Sequence, residues 1–133
     1  MSDYWTPAHH AVENEDVETL SRLLADGADP DEVFGNMTLL THAIDTEGDG
    51  ALQSGRPLTV HTTAVLLAFG ADPELAGPGG HTPLGLATSY DHDLAAQLLR
   101  THISKRAGGS RSAAVRALLR RTGHLLFRRA RPR

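Results

Sequence analysis

Histidine is the residue type in this sequence that could most readily do chemistry, because eight histidines occur among 133 residues. Imidazole nitrogens ligate zinc and act as general acids and bases near neutral pH. The candidate groupings are His9 with His10, His81 with His92, and His102. None has the H-E-x-x-H spacing of a zinc protease, and the chain contains no cysteine that could complete a zinc site. We therefore expect structural and exposed histidines, with no metal centre and no cofactor.

Serine and glycine patterns do not indicate a catalytic group either. Ser21, Ser54 and Ser89 lie outside the G-x-S-x-G context that exposes a nucleophilic serine. The run Gly77-Pro78-Gly79-Gly80 lacks the G-K-[ST] ending of a phosphate-binding loop and is typical of a turn. The carboxylates cluster in predicted turns and helix starts, where such groups cap helices. The sequence thus predicts a protein that is not an enzyme.

Charge divides the chain into two parts. Residues 1–102 contain all 16 acidic residues and three arginines, a net charge of −13, whereas residues 103–133 carry ten basic residues and no acid. This division predicts an acidic body followed by a basic tail. The first ten residues do not resemble a secretion signal, and no apolar run approaches the roughly 20 residues that span a bilayer. We therefore expect a cytoplasmic protein.

Three similar segments of the acidic body supply the elements that would position these side chains. They open with TPAHHA at 6–11, TLLTHA at 38–43 and TPLGLA at 82–87. The first two units close with LLADGADPD at 23–31 and LLAFGADPE at 66–74. Each unit predicts two short helices, because Thr-Pro suits a helix start, apolar residues follow at helical spacing, and glycine favours a helix end.

These motifs resemble the ankyrin repeat. Its units begin the first helix with T-P-L-H-x-A and end the second helix with L-L-x-x-G-A-D. The first unit carries Thr6, Pro7, His9, Ala11, Leu23, Leu24 and Gly27-Ala28-Asp29. The resemblance covers residues 4–102 and implies an all-α solenoid of stacked helix–turn–helix pairs with short β-turn or hairpin fingers. It places the repeats at about 4–32, 33–76 and 77–102. Three stacked units are near the minimum, since one helix pair cannot bury its apolar stripe alone.

The later units depart from the family pattern. Leu39 replaces the family's proline, and Thr41 and Gly85 replace its histidine. Leu99 is followed by Arg-Thr-His instead of Gly-Ala-Asp, which is typical of a terminal unit. An insertion near residues 46–57 (TEGDGALQSGRP) predicts an exposed loop between the two helices of the second repeat. Such a loop is either a neutral extension or a recognition element.

The basic tail, residues 103–133, allows several interpretations. Residues 112–122 have the spacing of one amphipathic helix, with apolar positions at Val115, Leu118 and Leu119. This helix could cover the open edge of the third repeat, with residues 125–133 as a frayed end. The tail could instead be disordered, or it could bind an anionic membrane or the phosphates of nucleic acid. The acidic body disfavours general nucleic-acid binding.

The resemblance implies a non-enzymatic scaffold for protein–protein interaction. An acidic concave face favours a basic protein partner, because complementary charges steer association. In the family, contacts come from the turn tips, from the residue before the Thr-Pro step and from the end of the first helix. Carried over by position, the predicted protein-binding residues are Trp5, Glu13, Asn14, Phe34, Gly35, Met37, Asp45, Pro78, Gly79, His81, Ser89 and Tyr90.

Two other functions are compatible with the sequence. A peripheral adaptor would bind an anionic membrane or nucleic acid through the tail, and removal of residues 103–133 would abolish that binding while sparing a scaffold's. An antitoxin-like or immunity-like neutraliser of a basic toxic enzyme would use the acidic body. The repeat fold does not by itself choose among these functions.

Overall fold

The computed structural model describes residues 5–122, with the side chains of residues 5–108. This part of the chain contains six helices and one two-stranded antiparallel sheet. The elements are α1 (Pro7–Glu13), α2 (Val17–Ala25), β1 (Val33–Phe34), β2 (Met37–Thr38), α3 (Leu39–Ser54), α4 (His61–Ala68), α5 (Pro83–Ser89) and α6 (Asp93–Thr122). The predicted all-α fold with a short hairpin finger is confirmed.

The repeated threonines begin the first helix of each pair. Thr6 Oγ1 accepts a hydrogen bond from the His9 backbone N–H at 3.1 Å, and Thr82 Oγ1 accepts one from Gly85 at 3.0 Å. Thr38 and Thr41 form a reciprocal capping box, in which Thr41 Oγ1 accepts from the Thr38 backbone N–H at 2.9 Å. The threonine that replaces the family's histidine therefore satisfies a backbone donor at the helix start.

The helices form two layers with the core between them. The first helices α1, α3 and α5 pack side by side, and α2 packs against α4 in the second layer. The fully buried apolar side chains are small or branched aliphatics, among them Val12, Leu20, Ile44, Leu66 and Leu99. No Phe, Tyr or Trp belongs to this set in the described part of the chain, as the low aromatic content predicts.

The predicted loop at residues 46–57 is wrong over most of its length, because α3 continues unbroken to Ser54. Glu47 is buried against Thr63 of α4, and the ring of Tyr90 covers Gly48. Each glycine in a helix costs only about 1 kcal/mol, so these contacts from other elements outweigh the local composition. Gly55 ends the helix in the left-handed conformation, with φ of 69°.

The third repeat ends differently from the first two. Gly27 and Gly70 adopt φ of 107° and 99° after the second helices of repeats 1 and 2. After Leu99 neither glycine nor proline follows until Gly108, and α6 continues through the predicted helix at 112–122 as one helix of 30 residues. Neither α6 nor any other helix in residues 5–122 is apolar enough over a spanning length to cross a membrane.

The chain divides into two compact units, Met1–His102 and Ile103–Arg133. The first unit contains the three helix pairs apart from the continuation of α6. In the second unit, the helix reaches Thr122. The predicted frayed end, with Leu125–Phe127 and the final arginines, lies outside the described residues.

Candidate functional site

An acidic pocket lies between the C-terminal end of α1 and the middle of α3. Its volume is about 420 Å³. The lining consists of Glu13, Asn14, Glu15, Asp45, Thr46, Asp49, Gly50, Gln53 and Arg56. Four of these residues are carboxylates and one is an arginine, so the pocket has a negative net charge. Thr46, Asp49, Gly50, Gln53 and Arg56 come from the insertion, which therefore builds the wall of the pocket.

Part of the predicted binding set lies in or beside the acidic pocket. Glu13, Asn14 and Asp45 line it. Tyr90 is connected to it, because its hydroxyl donates a hydrogen bond to Asp45 Oδ1 at 2.6 Å. Ser89 is exposed at the end of α5 and donates to the Leu86 carbonyl oxygen. Tyr90 therefore holds the Asp45 carboxylate in position through this hydrogen bond, and its own side chain is partly exposed.

A second part of the predicted set lies on the fingers. Phe34 is opposite Met37 in the β1–β2 ladder, and Gly35 begins the two-residue turn with φ of 63°. This turn meets the loop that precedes α5, since a Cβ on Gly77 would come within 2.5 Å of the Asn36 carbonyl oxygen. Pro78, Gly79 and His81 are exposed on that loop. The finger tips of successive units therefore lie together.

Trp5 lies over two buried histidines. Its ring stacks on the imidazole of His42 with a centroid distance of 4.7 Å and on that of His9 at 6.3 Å. Phe34 contacts the same indole at 5.6 Å in a tilted arrangement. Trp5 thus contributes to the packing between the first two repeats, while remaining partly accessible at their edge.

The two buried histidines connect the finger to the acidic pocket. His9 Nδ1 and His42 Nδ1 are 2.8 Å apart, and both side chains are at most 1% exposed. His9 Nε2 lies 3.2 Å from the Glu32 carbonyl oxygen, and His42 Nε2 lies 2.7 Å from Glu13 Oε1. We call Glu32, His9, His42 and Glu13 the histidine network. His9 thus connects α1 to the turn before β1.

A second buried polar group joins repeats 2 and 3. The Glu47 carboxylate accepts from the Thr63 backbone N–H at 3.1 Å and from the Thr63 hydroxyl at 2.8 Å. His92 Nε2 lies 3.0 Å from Glu47 Oε1 and 2.9 Å from the Thr59 carbonyl oxygen, so it donates to both acceptors. Sequence reasoning missed Glu47, because its neighbours in the chain are typical of a loop.

The histidines do not gather into a metal site in the part of the chain that the structure describes. No group of three His, Asp or Glu side chains among residues 5–122 is placed to hold a metal ion. His9 and His42 instead contact each other, with the Glu32 carbonyl oxygen and the Glu13 carboxylate as their further partners. His92 bonds to the Glu47 carboxylate and the Thr59 carbonyl oxygen.

Residues 3–33 match the model of the family described as Ankyrin repeat. This match supports the assignment of the segment to an ankyrin repeat. The matched segment holds the Thr6 cap, the first helix pair and the start of the finger, and the helix pairs that follow repeat this arrangement. No curated protein is significantly similar to the chain.

Ankyrin repeats are generally modules for protein–protein interaction, and the family is typically non-enzymatic. Two features of this chain differ from the regular repeat unit. The insertion extends α3 and supplies most of the acidic pocket. His42 and Glu13 extend the His9 contact into the histidine network.

The histidine network predicts a loss of stability in acid. Burial, assisted by the charge of His42 and opposed by the Glu32 hydrogen bond, lowers the pKa of His9 from 6.5 to about 4. Below pH 6.5 the unfolded chain therefore binds a proton at His9 that the folded chain does not bind. The contribution of His9 to the free energy of unfolding should be complete above pH 6.5 and lost as the pH falls towards 4.

Urea unfolding of the unmodified protein and of His9→Gln between pH 7 and pH 4.5 measures this effect. The variant should be less stable at pH 7 and should lose less stability on acidification, since it lacks the titrating group. Parallel pH profiles for the two proteins would contradict the prediction.

Proposed function

We propose that this ankyrin-repeat protein is a non-enzymatic interaction module that binds a basic segment of a protein partner. A lysine or arginine side chain of the partner enters the acidic pocket. The observation that carries the proposal is the pocket lining, in which four carboxylates face one arginine around about 420 Å³. This volume is large enough for a long basic side chain with its first water molecules.

The distribution of acids supports the assignment to this pocket. Several other acidic residues already have structural partners: Asp16 caps α2, Glu18 pairs with Arg22 at 2.8 Å, and Glu47 is buried. Within the pocket, Glu15 and Asp49 carry charge with no bond to a basic side chain among those that the structure describes. These two carboxylates are the expected contacts of an incoming cation.

The pocket alone gives modest affinity, so the fingers must contribute. An exposed ion pair is worth about 0.2–1 kcal/mol, because solvent screens the charges and two flexible side chains are ordered. Most interface energy comes from a few desolvated apolar or aromatic groups. Val33 is 47% exposed on β1, and Phe34 and Met37 are partly accessible beside it. We assign charge recognition to the pocket and apolar contact to this finger.

The proposal is tested with two double variants of the full chain. Glu15→Gln with Asp49→Asn removes two charges from the pocket. Glu18→Gln with Asp26→Asn removes two exposed charges elsewhere and is the matched control. A partner is first captured from an extract at low salt, and its affinity for each protein is then measured on a sensor chip.

We expect the pocket variant to lose about fivefold in affinity, which corresponds to about 1 kcal/mol for two exposed ion pairs. Raising the salt concentration should slow association of the unmodified protein, because exposed charges are screened over about 8 Å at physiological ionic strength. Equal affinities of the two double variants would place the binding site elsewhere.

A competing function is that of a peripheral adaptor that binds through the basic tail. The observation that favours it is the ten basic residues of 103–133. A variant with Gln in place of Arg128, Arg129, Arg131 and Arg133 separates the two functions. A scaffold that uses the pocket keeps its protein partner in this variant. A peripheral adaptor loses binding to phosphatidylserine vesicles or to duplex DNA. A basic toxic enzyme is one kind of partner that would satisfy the charge of the pocket.

A further inference from the structure

The hydrogen bonds of the histidine network fix how many protons it contains. The Glu32 carbonyl oxygen can only accept, so His9 Nε2 carries a proton and donates across 3.2 Å. The 2.8 Å contact between His9 Nδ1 and His42 Nδ1 holds one more proton. The 2.7 Å contact between His42 Nε2 and Glu13 Oε1 requires a third.

Two neutral imidazoles carry only two of these three protons. The third belongs either to His42 or to Glu13. Glu13 has 48% of its side chain exposed, which favours the solvated carboxylate, so the proton belongs to the imidazole. In this arrangement His9 is neutral and accepts at Nδ1, while His42 donates from both nitrogens.

We propose that the interface between the first two repeats is closed by a proton held on His42 between His9 and Glu13, and that this proton also balances the charge of Glu13 in the acidic pocket. The network crosses that interface, since His9 and Glu13 belong to α1 and His42 to α3. His42 is 1% exposed, and both of its ring nitrogens have partners at hydrogen-bond distance, which offsets the cost of burying the charge.

The surrounding groups fit this assignment. The titratable and charged groups that face the histidine pair are Glu13 from α1 and Glu32 from the turn before β1, whose carboxylate accepts from the Thr6 hydroxyl at 2.9 Å. Asp45 and Asp49 of α3 line the acidic pocket with Glu13. Trp5 and Phe34 cover the pair with aromatic rings. His10 bonds to Asn14 instead.

Loss of the proton has two consequences. At His42 Nε2 or at the Nδ1 contact, two acceptors then face each other at hydrogen-bond distance, which weakens the packing of α1 on α3. Glu13 also loses the charge that balances it, so the acidic pocket becomes more negative. A cation bound beside Glu13 opposes the charge on His42 and favours release of its proton. This last link rests on the proposed function, whereas the proton count does not.

The proton count is measured on the full chain by long-range ¹H–¹⁵N NMR of the imidazole nitrogens at pH 7, with His9→Gln and His42→Gln used for assignment. We expect His9 as the neutral Nε2–H tautomer and His42 with both nitrogens protonated. A neutral His42 at pH 7 would overturn the proposal without touching the proposed function, because no partner is present.

The variant Glu13→Gln tests the link between the proton and the carboxylate. The amide that it introduces can donate to a neutral His42 Nε2, so His42 should become neutral at pH 7 while the fold is kept. Glu15→Gln is the control, since it removes the same charge from the same pocket and Glu15 has no hydrogen bond to a histidine. A doubly protonated His42 in Glu13→Gln would also overturn the proposal.

Discussion

Replacing Glu47 with alanine should destabilise the protein by about 3–5 kcal/mol. Glu47 is 3% exposed and accepts from two donors of Thr63 and from His92. Its removal leaves both Thr63 donors buried without an acceptor, while His92 keeps the Thr59 carbonyl. Domains of this kind have a total stability of about 5–15 kcal/mol, so this variant should be close to unfolding at moderate temperature.

Asp49→Ala is the matched control for Glu47→Ala. Asp49 is an acid on the same helix, two positions further on, but it lies partly exposed in the acidic pocket and bonds only to Gln53 among the hydrogen bonds of the described residues. Surface changes of this kind usually alter stability by less than about 0.5 kcal/mol. Urea unfolding followed by circular dichroism compares the two. Equal losses in the free energy of unfolding would mean that the hydrogen bonds of Glu47 do not stabilise the interface of repeats 2 and 3.

Glu47 also shows which parts of the fold are predictable from the sequence. A helix start depends on residues within about four positions, so Thr6, Thr38 and Thr82 were sufficient to place the starts of α1, α3 and α5. The continuation of α3 through the insertion depends on the contact of Glu47 with Thr63, which is 16 residues away, and on the contact of Gly48 with Tyr90 from the next repeat. Local composition does not report such contacts, and it therefore predicted a loop.

The candidate site was predictable to a similar extent. Position within the repeat identified Glu13, Asn14 and Asp45, because the end of a first helix has the same place in every unit. Asp49 and Arg56 were missed, since they reach the pocket only when the insertion is helical up to Ser54. The acids and the single arginine of TEGDGALQSGRP were the available sign that this segment could supply a charged wall of a pocket.

The histidine network could not be predicted from sequence patterns, for a different reason. The contact of His9 with the Glu32 carbonyl oxygen joins the first helix to the turn that precedes β1. The contact of His9 with His42 depends on the stacking of α1 on α3, 33 residues apart in sequence. No local rule gives the relative rotation of two stacked helices, and that rotation decides which side chains meet.

Replacing Leu66 with alanine should cost about 2–5 kcal/mol, because the truncation removes buried methyl groups and leaves a cavity. Leu66 is 0% exposed in α4, which packs on both α2 and α3, so its side chain supports the middle unit of the solenoid. In a repeat array each unit is stabilised by its neighbours, and weakening the middle one affects both interfaces. The three units should therefore still unfold in one transition at a lower urea concentration.

Leu23→Ala provides the comparison, since the same atoms are removed from a less buried place. The helical spacing alone predicts that Leu23 and Leu66 both face the core, yet Leu23 is only partly buried, because Leu20 and Leu24 occupy the inner side of α2. Burial of apolar area is worth about 25 cal/mol per Å², so the loss for Leu23→Ala should be smaller, below about 2 kcal/mol. If Leu23→Ala is as damaging as Leu66→Ala, the outer side of α2 is covered in solution by a part of the chain or a second molecule, and the exposed surface of the first repeat must be assigned anew.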